Sequence, residues 1–123
     1  MAVVVDASVI AAVVFGEAEG DQLRRALRGH VLHAPSLIDY ELTHVAWKKL
    51  RRAPAAGSAI FAALASVRRL EVRHTHPDTV SVLGVAAATG LTPYAASYLW
   101  LAKTTRLPLF TLDKRLATAA DSF

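Results

Sequence analysis

Three carboxylate side chains carry the chemistry that this sequence offers most clearly: Asp6, Glu41 and Asp113. Asp6 directly follows the apolar run Ala2–Val5, and Asp113 directly follows the stretch Leu107–Leu112. Carboxylate oxygens form a hard site, which suits Mg²⁺ or Mn²⁺ better than a structural zinc ion. A metal of this kind can polarise a phosphoryl oxygen and orient a water molecule, and so hydrolyse a phosphodiester without a protein nucleophile.

Asp6 and Asp113 each allow two interpretations. Aspartate is a good helix N-cap, and a helical pattern follows in both cases, so each acid alone is explained by capping. In a parallel sheet, however, the carboxyl ends of the strands lie on one edge, which is where such sheets bind ligands. The two carboxylates together therefore predict a site at that edge.

Glu41 lies on a predicted helix, on the flank of an apolar stripe formed by Ile38, Leu42 and Val45. A carboxylate turned toward a protein core is costly unless a cation or hydrogen-bond donors meet it. No lysine or arginine shares the stripe within one turn, and a divalent cation would remove the cost. The alternative is that Glu41 lies at the edge of the stripe and reaches solvent.

The elements that would position these acids alternate between strands and helices, which predicts an α/β fold: a three-layer α/β/α sandwich with a central, mostly parallel sheet. No linker or repeat interrupts the chain, so we expect a single domain over residues 1–123. The predicted strands are Ala2–Val5, Val31–His33, Leu70–Arg73 and Leu107–Leu112. The predicted helices are Ser8–Phe15, Glu17–Arg28, Pro35–Arg52, Ser58–Arg69, Asp78–Thr89, a helix capped by Thr92 that runs to about Arg106, and Lys114–Ala120.

Composition excludes several classes of function. The chain has no cysteine, which rules out disulfides, thiolate zinc sites and cysteine nucleophiles. Its longest apolar stretches are far shorter than the roughly 20 residues of a membrane span, and the N-terminus lacks a basic secretory region, so we expect a cytoplasmic protein without a membrane segment. The formal net charge of +4 is compatible with a polyanionic partner.

The whole chain resembles the PIN-domain proteins, and among them the VapC toxins of type II toxin–antitoxin systems. The first acid stands in VVVDASVIAAVVFGE, and the helix carrying the second reads APSLIDYELTHVAWKKL. The C-terminal block reads LTPYAASYLWLAKTTRLPLFTLDKRL. Each motif is short, but they occur in the order and spacing of the family.

The resemblance implies a quartet of acids that binds Mg²⁺ or Mn²⁺ and cleaves RNA. Asp6, Glu41 and Asp113 match the first, second and fourth acids, whereas Ala95 stands where the family carries a metal-binding aspartate. This departure puts metal affinity and activity in doubt, although an alanine near the start of a helix suits the fold. The residues that match hydroxyl positions beside the first and fourth acids, in supporting roles, are Ser8 and Thr111.

The resemblance also implies partners: an RNA substrate, a VapB-type antitoxin whose tail covers the acidic pocket, and a second copy of the chain in a homodimer. Lys114 and Arg115 flank Asp113 and are candidates for contacts with RNA phosphates. The other basic groups, each of which can equally be an ordinary solvated helix face, are Arg24, Arg25 and Arg28, and Lys48, Lys49, Arg51 and Arg52. The aromatic residues expected in the core or at a dimer interface are Trp47, Tyr98 and Trp100.

The sequence leaves two alternatives to an active PIN-domain ribonuclease. Ala95 favours a catalytically inactive PIN-like module that binds RNA or an antitoxin. A flavodoxin- or receiver-like domain shares the alternating pattern, but a receiver would carry paired acids early in the chain and a suitably placed lysine, and neither is present.

Overall fold

The computed structural model describes residues 1–123, and its centre is a sheet of four parallel strands in the order β3–β2–β1–β4. The strands are β1 (Ala2–Val5), β2 (Val31–Pro35), β3 (Arg73–Thr75) and β4 (Leu109–Phe110). Val3 lies opposite Leu32 of β2, and Val4 lies opposite Leu109 of β4. Three consecutive valines of β1 are buried, as a strand covered on both faces requires.

Seven α-helices flank the sheet and complete the predicted α/β/α sandwich. Helix α1 packs against α2, α3 and α4, whereas α6 packs against α5, α7 and strands β1, β2 and β4. The helices are α1 (Ala7–Val14), α2 (Gly20–Leu27), α3 (Ile38–Arg52), α4 (Gly57–Ser66), α5 (Thr79–Thr89), α6 (Pro93–Thr105) and α7 (Lys114–Ser122). Two short 3-10 segments, Pro54–Ala56 and Val67–Leu70, flank α4.

Helices α5 and α6 begin and end where the sequence predicts. Asp78 caps α5, and the helix ends at Gly90, whose φ of +76° is a left-handed conformation that suits glycine. Thr92 caps α6 by accepting a hydrogen bond from the amide of Ala95, and Pro93 occupies the first turn. Local capping chemistry therefore places Ala95 in the first turn of α6.

Two predicted elements around β2 and β3 are wrong in position. Pro35 does not open a helix: it is the last residue of β2, the next amide, that of Ser36, donates to the Thr75 carbonyl of β3, and α3 begins only at Ile38. The third strand is Arg73–Thr75 rather than Leu70–Arg73. The chain reaches it through the 3-10 segment and a left-handed Glu71 at φ +52°, which ends the helical path before the strand begins.

Helix α2 starts at Gly20, three residues later than predicted, because the chain must first turn close to α1. A Cβ atom on Gly20 would lie 2.3 Å from the carbonyl oxygen of Ala12, so only glycine fits this contact. Strand β4 is also shorter than predicted, since only Leu109 and Phe110 pair with β1. The contacts between elements thus set boundaries that the apolar pattern alone does not specify.

No single helix in the structure is long and apolar enough to cross a membrane. Helices α5 and α6 reach the required length and composition only as a pair, and they are bent by 105° relative to each other.

Candidate active site

A cavity of about 320 Å³ opens at the carboxyl edge of the sheet, and the three acids singled out from the sequence all line it. We call it the carboxylate cavity, after Asp6, Glu41 and Asp113. Ala95 forms part of the same wall. The other lining residues are Ala7, Ser8, Thr92, Tyr94, Tyr98 and Leu116.

Asp6 is the most buried of the three acids, with 5% of its surface exposed. It caps α1 by accepting a hydrogen bond from the amide of Val9, and its Oδ1 also accepts one from the Ser8 hydroxyl at 2.6 Å. Its Oδ2 accepts a hydrogen bond from Thr111 at 2.5 Å. Burial raises the pKa of the Asp6 carboxyl above its ordinary value; the two hydroxyls lower it, and the charge of Asp113 raises it further.

Ser8 and Thr111 connect Asp6 to the loop after β4. The amide of Leu112 donates to the Ser8 oxygen at 3.0 Å, and the amide of Asp113 donates to the Thr111 oxygen at 2.9 Å. Each hydroxyl therefore accepts one hydrogen bond from a backbone amide of this loop and donates one to Asp6. These bonds fix the loop against the end of β1, and with it the backbone that carries Asp113.

Asp113 is exposed and caps α7, its Oδ1 accepting hydrogen bonds from the amides of Arg115 and Leu116 at 2.9 and 3.2 Å. Capping is thus part of the role of both Asp6 and Asp113. In both residues the capping bonds go to Oδ1, so Oδ2 takes no part in the cap while both side chains line one cavity.

Glu41 lies in the first turn of α3 and is half-buried. The Tyr98 hydroxyl donates to its Oε1 at 2.5 Å. Burial raises the pKa of Glu41, the Tyr98 hydrogen bond lowers it, and the charge of Asp6 raises it. Burial and the neighbouring Glu41 also raise the pKa of Tyr98, which therefore stays a hydrogen-bond donor at neutral pH.

Tyr98 is the site residue that sequence reasoning missed. The expectation that it lies in the core is met, since 2% of its surface is exposed, but its hydroxyl reaches Glu41. The available signal was spacing: Tyr98 lies three residues after Ala95, on the same face of α6. From sequence alone, an aromatic residue at such a position is assigned to the hydrophobic core unless the partner of its hydroxyl is known.

The three carboxylates have no cationic partner within the protein. The ion pairs of the structure join Lys49 to Glu17 and His74 to Asp39, all outside the cavity. The donor atoms are therefore oxygens alone, partly buried and without a neutralising cation, which is the type of donor that hard divalent cations take. As the side chains stand, no three of them are grouped closely enough to hold an ion, and at position 95 the wall offers a methyl group instead of an oxygen.

Lys114 and Arg115 are exposed and do not line the carboxylate cavity. They line a neighbouring cavity of about 510 Å³ together with Thr89, Thr118 and Ser122. The guanidinium of Arg115 donates to the carbonyl oxygen of Gly90 at 3.2 Å. Both side chains thus lie beside the acids rather than among them.

Comparison with known proteins identifies the family. Residues 3–122 match the PIN domain family. The chain is 32% identical to Ribonuclease VapC3 of Pyrobaculum aerophilum, over 95% of this chain and 93% of the relative. The crystal structure of PAE2754 from Pyrobaculum aerophilum superposes with a TM-score of 0.77 at 28% identity, covering 97% of this chain and 84% of that one. The fold, the order of the motifs and these relatives agree: the chain belongs to the PIN-domain family and is a VapC-type member of it.

Proposed function

We propose that this chain is a metal-dependent endoribonuclease, the toxic component of a VapBC-type toxin–antitoxin system, and that residues 1–123 act as one PIN domain. The observation that carries the proposal is the convergence of Asp6, Glu41 and Asp113 on one cavity without any cationic side chain. The relative from Pyrobaculum aerophilum that matches along nearly its whole length is a ribonuclease by name.

The three acids would hold Mg²⁺ or Mn²⁺, which when bound supplies a Lewis acid for the phosphoryl oxygen and lowers the pKa of its water. The chain's own residues set up that position. Ser8 and Thr111 orient the Asp6 carboxylate, and Tyr98 orients Glu41. Such outer contacts fix the direction of a metal ligand and are worth about 10–100-fold in metal affinity.

The substrate side of the proposal concerns RNA phosphates. Lys114 and Arg115 lie next to the carboxylate cavity, where their charges would attract the backbone of an RNA strand that enters it. A VapB-type antitoxin would cover the same cavity, and an arginine from it would bind the carboxylates through paired hydrogen bonds. We expect a homodimer in the cytoplasm.

Ala95 limits the activity of this chain in our proposal. A methyl group can neither coordinate a cation nor orient a water molecule, so the three remaining acids would bind metal more weakly and place the attacking water poorly. Positioning of this kind accounts for much of a catalytic rate. The same residue favours a second candidate function: an inactive PIN-like module that binds RNA or an antitoxin.

The test is RNA cleavage with Mg²⁺ or Mn²⁺ by the chain itself and by Ala95→Asp. We expect Ala95→Asp to cleave faster by about 100-fold, the scale associated with completing a preorganised charged site. Ala95→Asn is the matched control, because it adds similar volume without the charge and should gain little. Adding Asp6→Ala to Ala95→Asp should abolish the gain. Equal cleavage by the chain and Ala95→Asp would show that position 95 is not part of the site, and no cleavage by either would favour the binding module.

A further inference from the structure

A second charged cavity lies at the opposite edge of the sheet, and neither the proposed cleavage nor the metal involves it. Its volume is about 360 Å³, and three of its lining side chains are arginines: Arg24, Arg28 and Arg69. We call it the arginine cavity. The wall of this cavity also includes His30, Val13 and Leu32.

The position of this cavity follows from the topology. His30 directly precedes β2, whereas Asp6 directly follows β1, and the two strands are parallel neighbours. Arg24 and Arg28 come from α2 and its C-cap, and Arg69 comes from the 3-10 segment that leads toward β3. The connections that enter β2 and β3 therefore bring the arginines together at the amino edge of the sheet.

The positive charge of the arginine cavity is uncompensated. None of its lining side chains is acidic, and none of the three arginines takes part in an ion pair. Arg24 is held in place, because its guanidinium donates to the carbonyl oxygen of Val13 at 3.1 Å at the end of α1. The electrostatic potentials of like charges add within a concave surface, so the cavity concentrates anions.

His30 adds a polar group that the protein leaves unused. Its Nδ1 is shielded from solvent and has no hydrogen-bond partner in the chain. Because Nδ1 is shielded, a ligand in the cavity would contact the part of the ring that lines the wall, and the His30 ring is therefore a local reporter of binding. Apart from the arginines and His30, the lining is apolar, so the floor offers no competing hydrogen-bond acceptor side chain.

We propose that the arginine cavity is a phosphate-binding site, separate from the carboxylate cavity. Guanidinium groups bind phosphate through paired, charge-assisted hydrogen bonds and stay charged at all physiological pH values. The cavity volume falls within the range of about 300–1,000 Å³ that is usual for small-ligand sites. The phosphate belongs either to an RNA backbone, which would then be held at both edges of the sheet, or to a small free phosphate compound.

The test compares two double variants that remove equal charge. Arg28→Gln with Arg69→Gln removes two cavity arginines and leaves Arg24 with its bond to Val13. Arg25→Gln with Arg52→Gln is the matched control, because both residues are exposed and neither lines the cavity. Binding of a fluorescein-labelled single-stranded RNA is measured by anisotropy in EDTA, so that the metal-dependent site takes no part. Inorganic phosphate is titrated separately, with the imidazole NMR signals of His30 as the readout.

If the phosphate comes from RNA, the cavity double variant binds the oligonucleotide about tenfold more weakly, and its salt slope falls by about 1.4, or about 0.7 for each lost phosphate contact. The control double variant stays within about twofold at physiological salt, where distant charges are screened.

If the phosphate is a small compound, inorganic phosphate shifts the His30 signals of the unmodified chain and of the control double variant but not those of the cavity double variant. RNA then binds equally well to the two double variants. Equal RNA affinities in the two variants together with no phosphate-induced shift at His30 would overturn the proposal. Cleavage by Ala95→Asp would be unaffected by that result, so the two proposals fail independently.

Discussion

The carboxylate cavity and the arginine cavity occupy opposite edges of one sheet, and they hold their charges in opposite ways. Asp6 is 5% exposed, and internal hydroxyl and amide donors hold it, whereas the three arginines are exposed side chains on α2, its C-cap and a 3-10 segment. A buried charge depends on its immediate partners, because the low local polarity makes every missing contact costly. An exposed charge depends on the ionic strength and the ligand.

This contrast predicts which substitutions should affect folding and which should affect only ligand binding. In the carboxylate cavity, a change at a hydrogen-bonded residue such as Asp6 or Tyr98 should alter metal binding and folding together, since its hydrogen bonds also join separate elements of the fold. In the arginine cavity, a change should alter ligand binding and leave folding nearly untouched, apart from Arg24, whose guanidinium also binds the backbone. Four predictions test this contrast.

The largest expected effect is stabilisation of the unmodified chain by Mn²⁺. At a concentration of about 100 times the dissociation constant, the free energy of unfolding should rise by about 2.7 kcal/mol. Asp6→Asn should abolish the rise, because it removes the charge while keeping a side chain that can bond Ser8 and Thr111. The measurement is urea unfolding with Mn²⁺ and with EDTA.

Arg28→Gln with Arg69→Gln serves as the comparison for that experiment, and it should retain the full rise. If the cavity arginines and Asp6 affected the Mn²⁺ response equally, the two cavities would not be independent. If the ion stabilised Asp6→Asn as well as the unmodified chain, Mn²⁺ would bind elsewhere on the protein.

The second prediction concerns Tyr98→Phe, which removes the hydroxyl that holds Glu41. Because the half-buried Glu41 carboxylate loses a hydrogen-bond donor, the free energy of unfolding should fall by about 1–2 kcal/mol. Affinity for Mn²⁺ should fall by about tenfold, as expected for the loss of an outer contact to a metal ligand. Electron paramagnetic resonance of free Mn²⁺ measures the affinity directly.

Tyr94→Phe is the matched control, because Tyr94 lines the same cavity but is 65% exposed. It should change neither quantity. If Tyr98→Phe behaved like Tyr94→Phe, the hydroxyl of Tyr98 would be incidental to the site.

The third prediction uses the raised pKa of Asp6 in the metal-free protein. The folded state binds a proton at Asp6 more tightly than the unfolded chain does, so protonation favours folding. The stability of the unmodified chain relative to Asp6→Asn should therefore rise as the pH falls from 7 through the folded-state pKa, by at most about 1.4 kcal/mol per pH unit for one proton. Urea unfolding in EDTA at a series of pH values gives the difference, and parallel pH curves for the two proteins would show that burial of Asp6 is not costly.

The sequence predicts the fold well where local chemistry decides the structure. The cap Thr92 and the valines of β1 place their elements correctly, and the predicted bounds of α5 agree with the structure to within one residue. Prediction fails where packing decides. Pro35 reads as a helix start but pairs in β2, and the delayed start of α2 depends on the contact of Gly20 with Ala12.

The candidate site divides in the same way. Acids at strand ends were recognisable, because a parallel sheet brings such positions to one edge. Tyr98 was not, because the partner of its hydroxyl lies on another helix, 57 residues away in the chain. The arginine cavity was equally hidden: Arg24 and Arg28 read as a solvated helix face, and only the path of the chain through Arg69 gives them a common cavity. The sequence pattern alone does not predict contacts between residues that are far apart in the chain.

The smallest expected effects concern the folding role of the arginines. Arg24→Gln should lower the free energy of unfolding by about 1 kcal/mol, because it removes a charge-assisted hydrogen bond to the Val13 carbonyl at the C-terminal end of α1. Arg25→Gln, on the same helix but outside the cavity, should change it by less than about 0.5 kcal/mol, and so should Arg28→Gln. Urea unfolding of the three single variants decides the matter. A cost at Arg28 as large as that at Arg24 would mean that the cavity arginines support the fold, and the contrast between carboxylates whose hydrogen bonds also serve the fold and arginines that serve a ligand would not hold.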